Sequence, residues 1–295
     1  MNWVKYAKTR LPVLGATVFV AVSLAGSVDS VSGAFPTFGK GAKTEKSATT
    51  QSVMQSDGWR DTREIGVFIC SATFSLEEIA TELRVLSELH TELTRTLDLP
   101  EVKERVHVYL FRTEEEWRVY HQQNMKGIPY RQALFMKPDV MIQTRGSRGK
   151  IYTYVSPQLE VNLRHEGTHA LLMSAYKSQL PIWLDEGLAE YFENAQAPQN
   201  HPRWYSETQK RLQSGQLRGM RELEKLVTMR DMVPDAYGDS WAWVSFMLNT
   251  SEETREALQE HLRGLNKLFS SSMSRRLEKL GIARDNQLRA YFMPR

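Results

Sequence analysis

Three features of this 295-residue chain predict an α+β fold, a small mixed sheet with packed helices followed by a mainly helical carboxy-terminal half. Short apolar, β-branched runs alternate with helix-period segments from residue 61 to about 178. From about 179 to 295 the periodicity is almost wholly helical. Apolar residues make 41% and charged residues 25% of the chain, a balance that supplies a core and excludes a disordered or fibrous class.

Residues 1–34 read as separate from that domain. Lys5, Lys8 and Arg10 precede the uncharged apolar run "LPVLGATVFVAVSLAG", and Ser32-Gly33-Ala34 offers small residues for cleavage. This is the pattern of a secretory signal peptide or an uncleaved membrane anchor, and both export the rest of the chain to a periplasmic, secreted or outward-facing anchored position. The segment holds +2 of the net charge of +3, so the remainder carries +1 and gives no reason to expect nucleic acid as a partner. Residues 35–60, rich in Gly, Ser, Thr and Lys, read as a flexible linker that tethers the domain of residues 61–295.

Within that domain "EIGVFIC" reads as a strand holding Cys70, the single cysteine, as an inert small hydrophobe. Ile79, Leu83, Leu86, Leu89, Leu93 and Leu97 recur at helical spacing up to Pro100. "RVHVYLF" is a second strand, and Thr113 caps a helix over "EEEWRVYHQQ". "QALFMKPDVMIQT" and "KIYTYV" are extended pieces around the turn "RGSRG". "KIYTYV" is open to two readings, an internal strand or an edge strand on which an extended peptide pairs. Ser156 and Pro157 then fit the cap and first position of a helix that reaches the 170s. Later helices are signalled by "DSWAWVSFMLN", by Thr250-x-x-Glu253 as a capping box, and by "RRLEKLGIARDNQLRAYF".

The chemistry concentrates in "LRHEGTHALL", residues 163–172. His165 and His169, four apart on a helix, share a face and can aim both imidazoles at one point, half of a tetrahedral zinc site. Glu166 lies about 100° round the helix, placed to reach a metal-bound water as a general base without being a ligand. A third protein ligand is then required. Seventeen residues after His169 stands Glu186, in "PIWLDEGLAEYFE", where Pro181 ends the first helix and Glu186 begins a second that can run back beside it.

"HEGTH" followed by "WLDEGLAEYFE" resembles the gluzincin-type zinc metallopeptidases of the peptidase MA-like superfamily. The resemblance, carried by residues 163–193, implies a zincin-like fold and Zn2+ held by His165, His169 and Glu186, with Glu166 as catalytic base. It also implies that Glu190, four residues after Glu186, orients a zinc-bound histidine. The chain lacks a G-x-M-E-N segment, which disfavours an aminopeptidase, and its layout is more similar to exported bacterial peptidase-like domains of unassigned substrate. A peptide or protein is the substrate so implied. Tyr237, in "AYGDSW", is a candidate to stabilise the oxyanion.

Other features carry blander readings. Arg131, Lys137, Arg145, Arg148 and Lys150 read as a solvated basic loop, Met136, Met141 and Met173 as core filler, and His90, His107, His121, His201 and His261 as surface or packing residues. Two histidines and a carboxylate also suit iron. The alternative to an enzyme is a zinc-bearing or metal-free binding domain tethered at the cell envelope. The intact Glu166 speaks against it, since a binding role gives no reason for a carboxylate there.

Overall fold

The computed structural model describes residues 58–137, 149–176, 179–194, 200–265, 271–282 and 286–293. The signal or anchor segment, nearly all of the linker, Met141, Arg145 and Arg148 lie outside these residues. Among the described residues no helix is long and apolar enough to cross a membrane.

Five strands form one mixed sheet: β1 (Asp61–Ile65), β2 (Phe68–Ala72), β3 (Val106–Phe111), β4 (Ala133–Met136) and β5 (Lys150–Tyr154), in the order β1-β2-β3-β5-β4. The outer pairs are antiparallel, whereas β2-β3 and β3-β5 are parallel. "EIGVFIC" is therefore two strand segments and not one. Gly66, at φ 57°, takes the left-handed conformation that lets the chain reverse between Ile65 and Phe68. "KIYTYV" is internal, between β3 and β4, so the edge-strand reading fails for it. Among the described residues β4 forms that edge of the sheet.

Alternation divides the sheet faces. Val106, Val108 and Leu110 of β3 turn towards the main core with Phe68, Cys70 and Ile151. Burial pushes the Cys70 thiol up to about 12, consistent with an inert hydrophobe. The opposite face carries an aromatic cluster of Phe111, Trp117, Tyr152 and Tyr154 beneath α2 (Glu114–Asn124). Thr113 caps α2 as expected, accepting from the Glu116 N–H.

The main core face is covered by α1 (Ala80–Leu97) and α3 (Leu159–Tyr176), which pack on each other. After Pro181, α4 (Ile182–Phe192) packs on the other side of α3. It begins four residues before Glu186, because proline pre-sets the helical entry and the apolar Ile182-Trp183-Leu184 turn buries at once. The remaining helices are α5 (Trp204–Ser214), α6 (Met220–Leu223), α7 (Pro234–Asn249), α8 (Glu252–Gly264), α9 (Met273–Lys279) and α10 (Asn286–Phe292). The box at the start of α8 uses Ser251 and Thr254 in place of Thr250 and Glu253, each side chain bonding the other's main-chain N–H. The chain is thus α+β, with its helical half wrapped around α4 and α7.

Candidate metal centre

α3 is buried on nearly all sides, and its polar residues are the informative ones: His165, Glu166 and His169 are at most 1% exposed. Such groups are retained in a core only where something compensates their desolvation. α4 supplies Glu186 and Glu190, also buried. Two local devices fix the α3–α4 pairing. The buried guanidinium of Arg164 donates to the Phe192 carbonyl at the end of α4 (2.7 Å) and to Glu92 of α1 (2.5 Å). On the other side α7 presses against α4 at Gly187, where a Cβ would stand 2.8 Å from the Ser240 carbonyl oxygen. This close approach brings Tyr237 of α7 against the carboxylates of α4.

His165 Nε2 and His169 Nε2 lie 3.3 Å apart. Glu186 Oε2 stands 3.9 Å from the first and 3.7 Å from the second. It has no hydrogen-bond partner among the described residues. The three form a buried group that could hold a metal ion. The fold thus brings together the three residues that spacing singles out, and Glu166 lies buried on the same helix, with the Phe135 main chain of β4 as its nearest hydrogen-bonding neighbour.

The histidine-orienting contact expected of Glu190 is made by Glu193, whose Oε2 accepts from His165 Nδ1 at 2.7 Å. Glu190 instead accepts from Trp204 Nε1 at 2.5 Å. The reason is reach along α4: Glu193 sits at the helix end, opposite the part of α3 around Arg164 and His165 that Arg164 pins there. For His169 the partner is Asp185, with Oδ1 3.0 Å from Nδ1. His201, read from sequence as a packing residue, donates from Nε2 to Glu193 Oε1 at 2.8 Å. The signal available for Glu193 was its place two helical turns after Glu186; none marked His201.

The electrostatics are those of a site with excess carboxylate. Burial raises Glu186 to about 8, against the pull of the two histidines, and burial with the Glu193 charge raises Glu190 to about 7. Burial also raises Glu166. His165 is opposed by burial but, with the Glu193 hydrogen bond and the charges of Glu193, Glu166 and Glu190, stands at about 10. Glu193 is held below the usual range despite burial, because His165 and His201 both donate to it. Tyr237, 1% exposed with an unpartnered hydroxyl, is raised by burial and by Glu186 and Glu190.

In comparisons with known proteins, no family model and no curated sequence matches this chain.

Proposed function

We propose that this chain is an exported zinc-dependent metallopeptidase of zincin-like fold that hydrolyses peptide bonds, with His165, His169 and Glu186 as zinc ligands and Glu166 as general base. The observation that carries the reading is the convergence of three buried ligand atoms on one point. A tetrahedral zinc with bonds of about 2.0–2.1 Å sets its ligand atoms about 3.3–3.4 Å apart. The two Nε2 atoms are already at 3.3 Å and Glu186 Oε2 is within a few tenths of an ångström of that spacing. The donor set, two imidazoles and one carboxylate, leaves a fourth position open, as hydrolytic zinc sites require.

When bound, zinc supplies Lewis-acid polarisation of the scissile carbonyl and lowers the pKa of water. The Glu166 carboxylate, buried beside the histidine pair, takes a proton from the attacking water and passes it to the leaving amine. Burial raises its basicity above that of an exposed carboxylate. The Tyr237 hydroxyl, beside Glu186 and without a partner, donates to the carbonyl oxygen as negative charge develops. Among the described residues β4 is the edge strand beside the site, a place for an extended peptide to pair, and its Phe135 ring lies parallel to that of His169, with centroids 6.5 Å apart.

The experiment is the metal content of the purified protein by mass spectrometry, beside His169→Ala and Glu186→Ala. One zinc per chain in the parent, lost in both variants, is the expected result. Iron in its place would change the chemistry, and folded protein with no metal would sink the reading.

A further inference from the structure

We infer that His201 is a positioning residue of the metal centre, holding Glu193 so that Glu193 fixes the ring orientation and tautomer of His165. The inference rests on the zinc reading and extends it to a residue outside the two helices that carry the ligands.

The proton directions follow from the contacts. His201 Nδ1 lies 3.2 Å from the main-chain N–H groups of both Arg203 and Trp204 at the start of α5, and accepts from them. A ring nitrogen that accepts carries no proton, so the neutral imidazole has its proton on Nε2. That Nε2–H donates to Glu193 Oε1 at 2.8 Å, and the other oxygen, Oε2, receives Nδ1–H of His165 at 2.7 Å. With a metal bound, His165 would thus present its Nε2 lone pair to the ligand point it shares with His169. A histidine ligand needs this opposite-side partner to hold its ring, and the partner needs holding in turn.

Glu193 needs such a hold because it sits at the very end of α4, with three side-chain torsions to fix. One hydrogen bond leaves the carboxylate plane free to turn; bonds to its two oxygens from two rings do not. His201 is itself fixed, 6% exposed and edge-on to Trp241, with ring centroids 5.8 Å apart. The neighbouring carboxylate does not compete: Glu190 Oε2 is engaged by Trp204 Nε1 and lies 3.7 Å from His201 Nε2. The start of α5 is thereby connected to a zinc ligand on α3 through two side chains.

The test is zinc affinity of the full chain by chelator competition, with folding checked by circular dichroism. His201→Asn keeps an acceptor for the start of α5 but is too short to donate to Glu193. It should weaken zinc binding by roughly tenfold to a hundredfold, the usual effect of losing an outer partner. His201→Gln, longer and able to donate, should recover most of that loss. The double variant His201→Asn/Glu193→Gln should bind no more weakly than Glu193→Gln alone. A second measurement needs no variant: nitrogen-15 NMR of the imidazoles in the zinc-loaded chain should find His201 protonated on Nε2 and His165 on Nδ1. Wild-type affinity in folded His201→Asn, additive losses in the double variant, or an Nδ1–H tautomer at His201 would each overturn the inference while leaving the zinc site standing. Two zinc ions per chain would overturn it as well, since His165, Glu190 and Glu193 lie close enough to form a second ligand set. A parent chain that binds no zinc removes both readings.

Discussion

Two clusters of buried charge among the described residues, one between α5 and α7 and one between α3 and α4, are satisfied in opposite ways. Between α5 and α7, Arg211 donates to Asp239 from Nε at 2.9 Å and from Nη2 at 3.0 Å, and to Asp235 at 2.7 Å, while Arg218 adds a further bond to Asp239 at 2.8 Å. Each charge there meets its opposite, in fork geometry that guanidinium and carboxylate share. Between α3 and α4, Glu186 keeps an oxygen without a partner among the described residues, and Glu186 and Glu190 are pushed up to about 8 and 7. The first cluster is complete within the protein. The second leaves buried carboxylate without a full set of partners in the protein, the feature that separates a candidate binding centre from a structural ion pair.

The sharpest way to break this contrast is Glu166→Gln. Removing a general base typically costs about 10²–10⁴ in rate, so turnover of a peptide substrate should fall by that factor while zinc stoichiometry stays at the parent value. Unchanged turnover would remove Glu166 from the mechanism. Next in size is Asp239→Ala. Leaving Arg211 and Arg218 without their shared partner should cost about 3–5 kcal/mol in denaturant unfolding, with zinc content retained in the folded fraction. A loss below about 1 kcal/mol would mean the pair is not the self-sufficient cluster its geometry indicates.

Gly187→Ala probes the approach of α7 to α4. A methyl group placed 2.8 Å from the Ser240 carbonyl forces the helices apart, so stability should fall by about 1–3 kcal/mol. Because Tyr237 moves with α7, kcat should drop further than zinc affinity. Equal losses in both would argue against a separate role for Tyr237.

The smallest effect is a pH dependence, and its sign is set by the shifts. His165 stands at about 10, above its ordinary 6.5, so its contribution is full below about 6.5 and is lost as pH rises through 10. Glu186 and Glu190 are also raised, so their ionisation in the folded state grows costly from about 4.5 up to about 8 and 7. All three make the metal-free folded chain hold more protons than the unfolded one. Its melting temperature should therefore decline from pH 5 towards pH 10, and the gap between zinc-loaded and metal-free protein should widen. In metal-free protein at pH 9, Glu186→Gln should raise the melting temperature by removing a buried charge. A fall there would contradict the picture of an unsatisfied carboxylate.

The features legible in the sequence were local. Two histidines four apart need only one helix to share a face, and Pro181 needs only its ring to open the next. The candidate third ligand was readable because Glu186 lies on the next helix in a connection short enough to force α4 back along α3. The readings that failed depended on neighbours distant in the chain. The internal position of β5 reflects strand order, which alternation of apolar residues does not encode. Ser251 in place of Thr250 as the cap is a shift of one residue, within the usual play of helix ends.

The amino-acid sequence by itself determined the α+β class, the candidate ligand trio His165, His169 and Glu186, and the place of Glu166 beside them, because these rest on helical periodicity and short connections. Tertiary structure alone decided that Glu193 and Asp185, rather than Glu190, face the two imidazoles, and that His201 closes the chain of hydrogen bonds. Those partners are chosen by the angle at which α3, α4 and α5 meet. Arg164 bonding the end of α4 and α7 packing on Gly187 hold α4 in that place, contacts between residues too far apart in sequence for any local pattern to report.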